Sequence, residues 1–186
     1  MTLGTLKSAL PPALLLAALV ALGVAGWRLH ELRQERAVIQ ALAENHDVQP
    51  ADDASGAVLF ARAHYLLIRN RIDEAQGFSG RIAERGGPEL AARFHYDVGN
   101  ARVRRALAAM DASKIDQAIP EVRLAKDAYR EALHADPELW DARYNLDVAM
   151  RLVRDFPELE SGEEEEVKAQ PKKLWTDLPG LPRGLP

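Results

Sequence analysis

The sequence predicts an all-α protein: an N-terminal transmembrane helix, then antiparallel helix pairs, then an extended proline-rich tail. Three observations carry this. Residues 8–27 hold no charged side chain, and a helix of that length spans about 30 Å, the hydrocarbon thickness of a bilayer. Residues 57–156 are rich in alanine, leucine, arginine and glutamate and show no period-2 alternation long enough for a strand. The ending "KKLWTDLPGLPRGLP" (172–186) carries too much proline and glycine to continue a helix. With 186 residues, one globular domain is expected beside the anchor. The divisions are a short tail at 1–7, an anchor at 8–27, a helical stalk and linker at 28–56, a helical domain at 57–156, and an acidic linker with its tail at 157–186.

The heart of the anchor is "ALLLAALVALGVAGW", closed by Trp27 and Arg28 as interfacial residues. A cleaved signal peptide would need a positive leading region, yet only Lys7 and the amino terminus supply charge; Gly23 and Ala25 make a weak cleavage site. The long apolar stretch runs directly into a helix-prone segment, which favours an uncleaved anchor. Arg28, Arg33 and Arg36 follow the span, so the positive-inside rule by itself would hold the C-terminal part in the cytoplasm. The chain has no cysteine and so no disulfide.

Residues 28–45, "RLHELRQERAVIQALAEN", lack glycine and proline and continue the anchor helix as a stalk. Leu29, Leu32, Ile39 and Leu42 fall roughly on one face, too few for a coiled coil. "DVQPADDASG" (47–56) reads as a linker. Two helices follow within 57–85, with Arg69-Asn70-Arg71 as their turn and Asp73 and Glu74 favouring the positive end of the second. "GGP" (86–88) stops this pair, and Pro88 suits the first turn of the next helix, 88–110. "DASKID" (111–116) is a turn; helices at 120–136 and 137–156 complete the domain.

The spacings point to repeats. Ala125, Tyr129, Ala132 and Pro137 follow the small, aromatic, small, proline spacing of the second helix of a tetratricopeptide repeat, and Leu146 falls where the next first helix carries leucine. "FHYDVGNA" (94–101) and "ARYNLDVA" (142–149) match each other, with Gly99 at the small position and Asp147 replacing it in the second copy. Small residues at a crossing let two helix backbones approach. Gly99 to Ala125 is about twice the separation the repeat wants, so this pair is elongated; an ordinary antiparallel bundle is the other reading.

No catalytic constellation is present. His30, His46, His64, His95 and His134 are scattered, with no paired-histidine metal motif, nucleophile elbow or phosphate-cradling glycine loop. His64 and His95 sit beside Tyr65 and Tyr96 in equivalent-looking positions and read as packing or solvent-facing residues. No cofactor, metal or small-molecule substrate is expected, and a net charge of −4 argues against nucleic acid. Glu158, Glu160 and Glu163 to Glu166 form a solvated acidic linker without the ligand spacing of a calcium loop. What remains is binding of a protein partner. Stacked helix pairs form a concave groove, for which Arg62, Arg69 and Arg143 are the expected lining, with Arg93, Arg102, Arg104 and Arg105 as further candidates that cannot all share one face. Trp175, Leu178 and Leu181 in the tail are the other expected partner contacts, with Trp175 as anchor. The tail either folds back over the last helix or is offered to a partner.

The order of these features, and above all "AYREALHADPELWDARYNLDVAMRLV" followed by the glutamate run and "LWTDLPGLPRGLP", resembles the MxaK family of accessory proteins of bacterial methanol oxidation. The distinctive wording covers residues 125–186; "PELWDARYNL" also resembles repeat proteins encoded with von Willebrand factor A-domain proteins and MoxR-type ATPases. The resemblance implies a single-pass inner-membrane protein with a periplasmic helical domain that assists maturation or calcium loading of methanol dehydrogenase. The implied partners are von Willebrand factor A-domain proteins, a MoxR-type ATPase or the dehydrogenase itself. It implies no catalytic motif.

Overall fold

The computed structural model describes residues 3–154, and among them every regular element is helical. Six helices follow in order: α1 (Leu3–Ala43), α2 (Gly56–Ile68), α3 (Ile72–Gln76), α4 (Ser79–Asp111), α5 (Ile115–Ala135) and α6 (Trp140–Arg154).

α1 runs unbroken from the apolar stretch into the stalk. Leu14, Leu15, Leu16, Leu19, Val20 and Leu22 are all more than half exposed, so none of the described residues covers them. Leu14–Ala43 is long and apolar enough to be a candidate membrane span. The far end of the same helix is different: Leu42 is buried, and Val38 packs on the core formed by α2 and α4.

Three helices end alike. After α1, α2 and α4 the chain turns through Asn45, Asn70 and Ser113, each at positive φ (71°, 61° and 57°). In each the following residue's N–H reaches back five positions: His46 to Ala41 O at 2.8 Å, Arg71 to Leu66 O at 2.9 Å, Lys114 to Ala109 O at 2.8 Å. These Schellman closures satisfy the last carbonyls of each helix, and asparagine tolerates the left-handed conformation they need.

The "GGP" stop acts as a break inside α4. Gly87 sits at φ 71° and ψ −175°, a region essentially confined to glycine, and the helix resumes at Pro88. α5 starts at Ile115, earlier than the expected Pro120, which lies within its second turn; the turn is correspondingly shorter. α6 starts at Trp140, because Pro137 and Glu138 form a turn instead.

The short 112–114 turn folds α5 back along α4, and 136–139 folds α6 back along α5. α6 therefore runs in the same direction as 88–111: Asn145 meets Asn100, and Leu152 packs near Ala106 and Met110. The core has three patches along this stack, one around Leu59, Leu66, Ile82 and Phe94, one around Ala106, Ala118 and Val122, and one around Ala125, Tyr129 and Ala149.

Candidate functional site: an apolar groove

A groove of about 950 Å³ opens between the end of α1 and the helices α2, α4 and α6. α1 contributes Ile39 and Leu42; α2 contributes Phe60, His64 and Ile68; α4 contributes Leu90, Arg93, Tyr96 and Asp97; Leu139 and Asp141 close it at the start of α6. α5 contributes nothing to it. Such a volume, lined mainly by aliphatic and aromatic carbon with a few polar groups, has the character of a binding cleft.

One polar pair crosses it. His64 Nδ1 donates to Asp97 Oδ2 at 2.7 Å, joining α2 to α4. That bond holds the imidazole above its ordinary value of 6.5, against the opposing effect of partial burial and of the Arg104 charge. A raised histidine stabilises the fold fully below 6.5, and the contribution is lost as pH rises through the raised value. His64 is about half exposed, so the effect stays below about 1 kcal/mol. His95 behaves oppositely. It lies edge-on to Phe94 on a second hollow beside Glu131, and burial pushes it down despite the Glu131 charge. Its contribution is present above 6.5 and lost as pH falls. The two histidines thus occupy unlike surroundings. Replacing His64 by glutamine is expected to remove the stability gain seen on lowering pH from about 8 to about 6 and to leave the opposite His95 trend exposed; chemical denaturation at a series of pH values reads this.

Among the expected groove arginines, only Arg69 and Arg93 line it. Arg69 lies 3.5 Å over the Tyr65 ring and donates to Asn45 Oδ1 at 2.7 Å, so the Schellman turn after α1 holds it in place. Arg62 is a correction: it is 1% exposed, its Nη1 donating to Asp47 Oδ1 beneath the linker. A guanidinium on an inward face is retained because a carboxylate reaches it, and Asp47 is held below the usual carboxylate range by Arg62 first and Arg71 second. Arg143 is a second correction. It is absent from the groove lining, and its Nη2 donates to Pro137 O at 2.6 Å, closing the turn before α6.

Arg85, Arg102, Arg104 and Arg105 act as staples between elements. Arg85 Nη1 donates to Asp52 O at 2.7 Å and Ala54 O at 3.0 Å, so the 44–55 linker is tied down along its length. Arg104 Nη2 reaches Leu67 O at 3.1 Å, and Arg105 Nη2 reaches Asn70 O at 3.1 Å; both anchor the α2 turn to α4. Arg102 and Arg105 share Glu121 of α5 at 3.0 and 3.1 Å. Charge spacing alone does not separate such staples from a binding face, because the partner acceptors are backbone carbonyls that only the fold brings near. Sequence reading missed the aromatic and aliphatic lining, Phe60, Ile68, Leu90, Tyr96 and Leu139. Phe60 and Leu90 also pack against the core, so their apolar character in the sequence reads as core and does not mark a groove.

Trp175, Leu178 and Leu181 lie outside the described residues, as do the acidic run and the proline-rich ending. Among the described residues no group of three or more histidine, aspartate and glutamate side chains gathers as a metal site.

No protein-family model matches this chain, and no curated protein or solved structure matches it either.

Proposed function

We propose that this chain is a membrane-anchored, non-catalytic helical-repeat adaptor that offers its groove to an extended segment of a protein partner. The groove carries the reading: an apolar, aromatic-edged cleft whose walls are supplied by α1, α2, the 88–111 part of α4 and the start of α6. In this reading α2, 88–111 and α6 are the inner helices of tetratricopeptide-like pairs, and 72–85 and α5 are the outer ones. Gly99 of α4 against Tyr129 of α5, and Ala125 of α5 in one cluster with Ala149 of α6, support that pairing, since small residues sit where the helices approach.

The partner is drawn from the resemblance to the MxaK family: the adaptor assists maturation or calcium loading of periplasmic methanol dehydrogenase, with von Willebrand factor A-domain proteins and a MoxR-type ATPase. α1 holds it in the inner membrane with the helical domain on the periplasmic side. Deleting the gene is expected to leave dehydrogenase protein present but inactive or calcium-poor, and a chromosomal Phe60→Asp change is expected to reproduce that defect. Normal calcium content and normal growth on methanol in the deletion strain would sink the reading. The shared wording of "PELWDARYNL" favours a second reading, a structural component of a MoxR and von Willebrand factor A-type assembly unrelated to methanol; dehydrogenase subunit genes in the neighbourhood would decide against it.

A further inference from the structure

Resting on the groove reading above, we propose that the groove's resting occupant is the chain's own C-terminal segment, "LPGLPRGLP" (178–186), so that a partner must displace it. Three observations lead there. First, the groove presents Phe60 and Tyr96 beside aliphatic Ile68, Leu90 and Leu139, and aromatic-lined grooves are what extended proline-rich segments dock into. Second, the segment has the matching period. Pro179 and Pro182 are three apart, as are Leu178 and Leu181, so in a polyproline II helix of three residues per turn each pair lies along one edge. Proline also lowers the entropy lost on docking, because the extended form is already restricted. Third, the reach is sufficient. The chain leaves α6 at Arg154, one helix length from the groove's Asp141 end, and α6 has 15 residues, about 22 Å. Some two dozen residues separate Arg154 from Leu178, about 80 Å when extended.

The occupant is specified against two others. A second copy of the chain would place the same segment in a neighbour's groove. A partner protein alone would leave the segment elsewhere. The tether argues for the chain's own segment, since a covalently linked ligand acts at an effective concentration in the millimolar range.

The absence of cysteine makes the test direct. Ile68 is 59% exposed on the groove edge, so Ile68→Cys is not expected to disturb the core. Paired with Leu181→Cys in the full-length chain in lipid nanodiscs, it should form an intramolecular product with a short thiol crosslinker. The yield should exceed that of the Leu124→Cys and Leu181→Cys pair, placed on α5, by about tenfold. Excess synthetic peptide of residues 170–186 should suppress it. Equal yields for the two pairs overturn the proposal, and so does a product linking two chains. The readout needs no partner. Normal dehydrogenase maturation in the deletion strain would therefore remove the proposed function without altering the crosslink, and a missing crosslink would leave the adaptor reading standing.

Discussion

Replacing Gly99 by valine is expected to destabilise the helical domain by about 3 kcal/mol, at the upper end for overpacking of a filled core. The cause is local. A Cβ at Gly99 would lie 2.6 Å from Tyr129 Cδ1 and 2.8 Å from Cζ. The Tyr129 ring is 1% exposed and cannot swing into solvent. Its hydroxyl donates to Asn100 Oδ1 at 2.8 Å, and Asn145 Nδ2 donates to the same oxygen at 2.8 Å. Moving the ring therefore breaks a link that joins α4, α5 and α6. Burial holds the phenol up at about 12, so it remains a neutral donor across the accessible pH range. Thermal unfolding followed by helical circular dichroism should fall by roughly 12–24 °C, taking about 4–8 °C per kcal/mol for a domain of about 100 residues. An unchanged melt would mean that the helices are not in van der Waals contact at this crossing. Gly99→Ala should show a smaller loss of the same sign, because alanine recovers about 1 kcal/mol of helix propensity.

Gly56→Val is the second large effect, and it has a different origin. A Cβ there would come within 2.5 Å of Gly86 N and 2.8 Å of the Arg85 carbonyl carbon. The obstacle is backbone, so no rotamer change relieves it. The start of α2 would have to lift from the break in α4, drawing Val58 and Leu59 out of positions where they are 3% and 0% exposed. A loss of about 3 kcal/mol or more follows, with the groove opening at the α1–α2 side. A Gly86→Ala change meets Leu90 alone, Cδ1 at 2.8 Å and Cβ at 2.9 Å; the methyl can rotate away and only the Cβ contact needs a small backbone shift, so it should cost less than Gly56→Val. Comparing the two melts separates backbone contact from side-chain crowding. Equal losses would contradict the close approach.

Much of the helix plan was legible in the residues, and for local reasons. The apolar run, the Asn70 turn, the glycine–proline break and the turn near Ser113 each act within a few residues, through hydrophobicity, a left-handed turn or a missing N–H. The paired phrases at 94–101 and 142–149 were legible too: Phe94 and Ala142, and Ala101 and Ala149, are all buried at their matched positions. The departure at Asp147 has a tertiary cause. Gly99 is crossed by Tyr129 of α5, whereas Asp147 points away from the packed face and pairs with Arg151 at 2.7 Å. The site was less legible. Charge alone points to the arginines as a binding surface, but Arg62, Arg102, Arg104 and Arg105 are committed to carboxylates and carbonyls inside the fold.

What the sequence by itself determined is the helical class, the exposed apolar helix and where most helices stop, because those follow from periodicity and from the local chemistry of proline, glycine and asparagine. Only the tertiary structure decided which side chains face the groove and which hold the stack together. A helix of mixed composition offers several faces, and the choice among them depends on residues far apart in the chain. Asp47 takes Arg62 inward, Asp97 fixes His64 at the groove, and the bend at Gly87 brings α4 across α2.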